Sequence, residues 1–297
     1  MRPTRFHLGL WAMLNKTRSG LVAGGFCAVA VLVVLDAGEL DPEQVLRLSC
    51  FMAVLVLLGV WEWGRPRRKN SARMLRWPSN FGILLSNVVV LSLLPLTAVT
   101  SAYFALEHRF GLFVWLEMPL WLSVILSLLV LDAVIYWQHR LFHLITPMWR
   151  VHRMHHTDLE FDVTTALRFH PVEIVVSLLI KAAVIILLGA PVLSVIAFEI
   201  ILNGSAMFNH SNIRLPRHVD RCLRSVVVTP DMHRVHHSVH GSEHQFNFGF
   251  CLSVWDKMFG SYVGQPRAGH EQMEIGLNDF RGPEEGRLDK LLTQPFR

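Results

Sequence analysis

Four apolar stretches, at residues 21–35, 45–63, 81–106 and 118–137, dominate the first half of the chain. A helix rises about 1.5 Å per residue and a bilayer's hydrocarbon core is about 30 Å thick, so about 20 apolar residues make one crossing. A polytopic bundle of membrane helices follows. Composition agrees, with 52% apolar and only 17% charged residues, where soluble domains carry about a quarter charged. Disordered, collagen-like and disulfide-stapled classes are excluded. The stretch at 21–35 is the shortest, and Arg2, Arg5, Lys16 and Arg18 precede it as in a signal sequence. No small-residue cleavage site follows Leu35, so it is read as a retained span.

Charge sets the expected direction. Asp36, Glu39, Asp41 and Glu43 fill the first loop, whereas Arg65, Arg67, Arg68, Lys69, Arg73 and Arg76 fill the second. The positive-inside rule then places both termini, and everything after Trp137, in the cytoplasm, which for a bacterial chain means the inner membrane. The net charge of +5 belongs to these loops and does not mark a nucleic-acid binder. Cys27 and Cys50 lie in apolar runs, and Cys222 and Cys251 show no CxxC spacing, so neither a disulfide framework nor a thiolate site is expected.

A fifth apolar stretch, 172–207, is broken by Gly189-Ala190-Pro191. Two helices joined by that turn would enter and leave on one side. Glu173, Lys181 and Glu199 suit a hairpin packed on protein better than a lipid-exposed span. A single span there would also put the remaining histidines on the opposite side. The expected fold is therefore all-α: about four spanning helices, a re-entrant hairpin and a cytoplasmic, histidine-rich helical cap.

Histidine carries the chemistry. Three boxes stand out: His139 and His143, then His152, His155 and His156, then His233, His236 and His237. With 16 histidines in 297 residues, one window spells HxxHH by chance about once in 6,000, so two copies mark a built feature. On a helix, positions three and four apart share a face. Each box is expected to aim its imidazoles in one direction, as metal coordination requires. Thr146-Pro147 and Thr229-Pro230-Asp231 read as helix starts just before the second and third boxes. Imidazole suits iron, zinc, copper or nickel, and eight candidates are enough for two ions. No Glu-x-x-His, HExxH, GxGxxG, P-loop or GxSxG accompanies them. Electrons for redox chemistry must then come from another molecule.

HxxxH followed by two HxxHH boxes on a polytopic chain resembles the fatty acid hydroxylase, or sterol desaturase, superfamily. The likeness runs over about residues 120–262 and includes Tyr136-Trp137-Gln138, Arg168-Phe169-His170-Pro171, Asn209-His210-Ser211 and Trp255-Asp256-Lys257-Met258-Phe259-Gly260. It implies an oxidoreductase that hydroxylates or desaturates a lipid at a di-iron centre, with O2, a separate electron-transfer partner and no nucleic acid; zinc could substitute for iron. It adds His210 to the eight boxed histidines as a ligand. It also implies three regions: a membrane region at 1–117, a catalytic domain at 118–265 and a polar tail at 266–297. The competing readings are a zinc-dependent membrane hydrolase, which lacks an obvious Glu base beside a ligand, and a non-catalytic metal-binding or transport protein.

Other residues receive weaker roles. His170 is read as supporting or structural, and Asp132 as facing the bundle interior. His218, His240 and His244 are read as surface residues, and His7, His108 and His270 as incidental. Trp121, Trp137 and Trp149 are read as interface anchors.

Overall fold

The computed structural model describes residues 41–70 and 73–297. The stretch at 21–35, with the basic residues before it, lies outside the described residues, as does His7. Nine helices frame the rest: α1 (Pro42–Gly64), α2 (Arg73–Ser92), α3 (Ala98–Glu107), α4 (Leu120–Leu144), α5 (Thr146–His156), α6 (Pro171–Leu188), α7 (Val192–Asn209), α8 (Arg217–Leu223) and α9 (Pro230–His236). Shorter helical turns fill the connections, and no β-sheet occurs among the described residues. Of these helices α1, α4, α6 and α7 are long and apolar enough to cross a membrane.

The stretch at 81–106 is not one continuous helix. α2 ends at Ser92 and α3 begins at Ala98. Pro95 between them lacks an amide hydrogen and disfavours helical geometry in Leu94. Thr97 then restarts the helix through a capping box: the Thr100 amide donates to Thr97 Oγ1 at 3.0 Å, and the Thr97 amide donates to Thr100 Oγ1 at 2.8 Å.

The hairpin at 172–207 forms as expected. Gly189 takes a left-handed φ of +66° at its tip, which Gly reaches without steric cost. Gly111 sits against it backbone to backbone; a Cβ there would lie 2.2 Å from the Gly189 nitrogen. Small residues also bring α3 close: Ala98 and Ala102 are buried with Leu131 and Ile135 of α4, Ile185 of α6 and Phe198 of α7. Without a hydrophobic drive in lipid, such close packing is what holds helices together. A second core joins Leu55 and Leu58 of α1 with Phe81, Leu167, Met207 and Ile213 just beneath the cap.

Buried ion pairs fasten the cap. Arg76 Nη2 donates to Asp158 Oδ2 at 2.5 Å and Arg76 Nη1 to Asp162 Oδ2 at 2.8 Å. Burial alone would raise the Asp158 carboxyl, but the Arg76 and Arg168 guanidiniums outweigh it and hold it below its ordinary value. The segment 266–297 is packed as well: Leu291 is buried against Ile83 and Met154, and Arg153 Nη2 donates to the Gln294 carbonyl at 2.8 Å.

Candidate metal centre

α4 is 25 residues long, about 37 Å. That exceeds a bilayer core, so its last turns carry His139 and His143 into the cap. A single residue, Ile145, separates it from α5. This short link leaves Thr146 inside the first turn of α5 rather than capping it, contrary to the sequence expectation. The third box matches its start signal: Thr229 Oγ1 accepts from the Met232 amide at 3.4 Å, and Pro230 opens α9.

All nine expected histidines converge, each at most 6% exposed. They form two groups. His139, His143, His152, His156 and His236 make one, and His155, His210, His233 and His237 the other, with ligand atoms within each group all inside 4.8 Å of one another. The boxes do not each aim one way. Successive residues on a helix diverge by about 100°, so the adjacent pairs His155–His156 and His236–His237 are divided between the groups. The His156 and His237 rings stack at 4.5 Å where the groups meet.

Hydrogen bonds define the rings' protonation pattern. His139 Nδ1 lies 2.8 Å from the Phe248 carbonyl, and His236 Nδ1 lies 2.7 Å from that of Phe246. A carbonyl only accepts, so each Nδ1 donates and each neutral ring presents a bare Nε2. Those two Nε2 atoms stand 3.0 Å apart. His210 is held likewise, Nδ1 to the Ala206 carbonyl at 2.7 Å, and its Nε2 lies 3.0 Å from His155 Nε2 and 3.1 Å from His233 Nε2. Facing lone pairs repel unless a cation lies between them. Imidazoles sharing one ion at about 2.1 Å would stand about 3 Å apart. Both nitrogens of His143 and of His237 are buried without a hydrogen-bond partner, as are Nδ1 of His155 and His233. These residues fit a metal.

Electrostatics agree. Burial holds His155, His156, His233, His236 and His237 well below the ordinary imidazole value, and His210 at about 4. Neutral imidazole is the ligating form.

The loop after α9 delivers the two orienting carbonyls. Asp256 accepts from the Phe248 and Gly249 amides, both at 2.8 Å, and from Ser261 Oγ at 2.7 Å. A Cβ at Gly249 would meet Asp256 Oδ2 at 2.7 Å. Asp132, inside the bundle as expected, accepts from the Cys251 and Leu252 amides and, at 2.8 Å, from Trp255 Nε1. Arg168 closes the end of α5, its Nε donating to the Met154 carbonyl at 2.9 Å, and Phe169 stacks on His155 at 4.3 Å. His170 caps α6: Nδ1 accepts from the Val172 amide at 3.2 Å, and Nε2 donates to the Leu292 carbonyl at 3.1 Å.

Several roles were missed in the sequence. Glu173 accepts from His152 Nδ1 at 2.7 Å; as one charge in an apolar hairpin it carried no signal of that partner. Trp149 lies over the centre, 4.9 Å from the His143 ring. His244, read as surface, is half-buried and stacks on Trp149 at 5.8 Å. His270, read as incidental, is buried. His108, His218 and His240 are exposed and outside both groups.

The sequence profile of the fatty acid hydroxylase family matches residues 124–261, a segment that starts in α4 and holds all nine histidines. Residues 124–261 carry a fatty acid hydroxylase domain. The chain is similar to an ornithine lipid hydroxylase of Rhizobium tropici, with 28% identity over 207 residues, covering 68% of this chain and 58% of the relative. It is also similar to alkylglycerol monooxygenases. That of Xenopus tropicalis is 26% identical over 235 residues, covering 75% of this chain and 48% of the relative. That of Danio rerio is 30% identical over 166 residues, covering 55% and 35%. The chain thus spans less than two thirds of each relative's length. No solved structure matches it. This domain, together with four helices long and apolar enough to cross a membrane, makes the chain a multi-pass membrane protein.

A cavity of about 280 Å³ runs between the spanning helices to the first histidine group. Phe51, Leu84, Ile135, Phe142 and Ala206 supply apolar wall, and His139 and His152 line it too. Lys181 and Glu199 also face it, paired at 2.5 Å, with Arg47 3.3 Å from the same carboxylate.

Proposed function

We propose that this chain is an integral-membrane enzyme that hydroxylates or desaturates a lipid. It oxidises a C–H bond of a lipid with O2 and electrons from a separate donor. The observation that carries this reading is a mostly apolar cavity among membrane helices with His139 and His152 in its wall. An unactivated C–H bond has no acidic proton and no leaving group, so acid–base or nucleophilic catalysis by side chains cannot reach it. Two iron ions, one per histidine group, would supply the O2 activation that such a bond requires; zinc can take the same imidazole sites.

The chain's own residues do the rest. His139, His143, His152, His156 and His236 would hold one ion, and His155, His210, His233 and His237 the other. Glu173 and the carbonyls of Phe246, Phe248 and Ala206 fix ring orientation, a form of support worth about 10–100-fold in metal affinity or activity. Phe142 and Phe169 keep water from the cavity side of the rings. Lys181 lies eight residues beyond Glu173 on α6, about 12 Å deeper. Its pair with Glu199 limits the length of apolar chain the cavity accepts. Ornithine lipid and alkylglycerol, named for the relatives, are the first substrates to test. The cap, with the basic loop at its edge, faces the cytoplasm, and in a bacterium the membrane is the inner one.

The test is metal analysis of purified protein combined with O2 uptake and lipid mass spectrometry under 18O2. Two irons per chain and reductant-dependent O2 uptake are expected, together with labelled hydroxylated lipid or an alkene product. Lipid turnover without O2, in protein holding only zinc, would replace this reading with a hydrolase.

A further inference from the structure

A separate cavity of about 550 Å³ shares no lining residue with the histidine groups. Arg67, Arg214, Arg217, Arg221, Arg224 and His270 line it. Three carboxylates line it as well, and each is already engaged. Asp220 accepts from Thr229 Oγ1 at 2.6 Å and pairs with Arg224 at 2.6 Å. Asp231 pairs with Arg234 and, at 3.2 Å, with Arg67. Glu271 pairs with Arg67 at 2.9 Å and Arg214 at 3.1 Å. Arg217 and Arg221 stand one turn apart on α8 with no acidic partner among the described residues. The arginines therefore leave cationic charge in the pocket unanswered.

His270 supplies an independent sign of a ligand. It is 4% exposed, and neither ring nitrogen has a hydrogen-bond partner. Asp231 Oδ2 is 3.6 Å from its Nε2, outside hydrogen-bond reach. A buried donor left unmet is costly, so such a group normally faces a partner. Here the partner must offer an acceptor.

We propose that this pocket binds a phosphate group, with Arg217, Arg221 and His270 as donors. Guanidinium forks match phosphate oxygens in pairs, and several oxygens on one centre suit donors converging from different segments. The phosphate can belong to a lipid headgroup or to a soluble phosphate compound. The inference does not depend on the oxidation chemistry proposed above.

The test uses the full chain in maltoside detergent, which carries no phosphate. Inorganic phosphate is titrated calorimetrically, and phosphatidic acid retention is read by native mass spectrometry. Binding of phosphatidic acid alone assigns a lipid headgroup, and binding of inorganic phosphate assigns a soluble ligand; either supports the site. The exposed pair Arg217→Gln/Arg221→Gln should weaken binding about tenfold or more, as loss of charge-assisted bonds does, with metal content unchanged. His270→Ala should weaken it too; if that variant misfolds, the double variant still decides. Absence of binding by both probes, or unaltered binding in the double variant, overturns the proposal.

Discussion

His152 Nδ1 and Glu173 Oε1 stand 2.7 Å apart, which joins the second histidine box to the first turn of the hairpin. The Glu173 carboxyl accepts the Nδ1 hydrogen and turns Nε2 toward the first group. His156 Nε2 lies 3.2 Å from that atom. A helix that passes into the membrane thereby sets the angle of an imidazole in the cap.

Glu173→Ala should lower metal affinity about 10–100-fold, the usual cost of removing a ligand's orienting partner. Glu173→Gln keeps an acceptor and should retain more metal than Glu173→Ala. Metal content measured through a chelator series checks both. Equal retention by Glu173→Ala and the parent would reduce the contact to packing.

His210 and His218 lie eight residues apart but differ in setting. His210 is fully buried with its Nε2 at 3.0 Å from His155, whereas His218 is exposed on α8. His210→Ala should lose at least one metal equivalent and most activity. His218→Ala should leave metal content unchanged. The reverse order would dismantle the second group.

Acid should destabilise the metal-free protein. Unfolded imidazoles bind protons near the ordinary value of 6.5, while burial holds His210 at about 4 and His155, His156, His233, His236 and His237 well below their ordinary value. The unfolded state thus binds more protons as pH falls, and stability present above about 6.5 is lost on the way down toward about 4. Thermal melts of chelator-treated protein between those values should show falling midpoints. Constant midpoints across the range would contradict neutral, buried rings.

Filling the cavity should block substrate but spare the centre. Ala206 lines the cavity and is buried beside Met207. Ala206→Phe should cut lipid turnover at least about tenfold while metal content holds, since added bulk in a packed site costs about 1–3 kcal/mol. Unchanged turnover would place the substrate elsewhere.

Reporters fused after Arg68 and after Asn212 should lie on one side of the membrane, and a reporter after Asp41 on the other. The Arg68 amide donates to Asn212 Oδ1 at 3.0 Å, so the two sites share the cap. Opposite locations would break the hairpin topology.

Much of the site was legible because ligation needs particular side chains at helical spacing. His139 and His143, and His152 and His156, pair at four residues in the sequence and join one group in space. The break at Pro95 was less visible, because the apolar composition around it continues unbroken while backbone geometry changes. Glu173, Trp149 and His244 escaped for a different reason. Their roles depend on contacts between segments far apart in the chain, and a local pattern carries no mark of such a partner.

Apolar run length and histidine spacing determined, from the sequence alone, that this chain is a helical membrane protein with a metal-binding character, because span length and helical periodicity are local properties. Only the tertiary structure decided how nine imidazoles divide into five and four. Adjacent histidines diverge around a helix, so their assignment depends on which neighbouring helix each one meets. The packing of α4, α5, α7 and α9 sets that, and the carbonyls of Phe246 and Phe248 then leave His139 and His236 with facing nitrogens 3.0 Å apart.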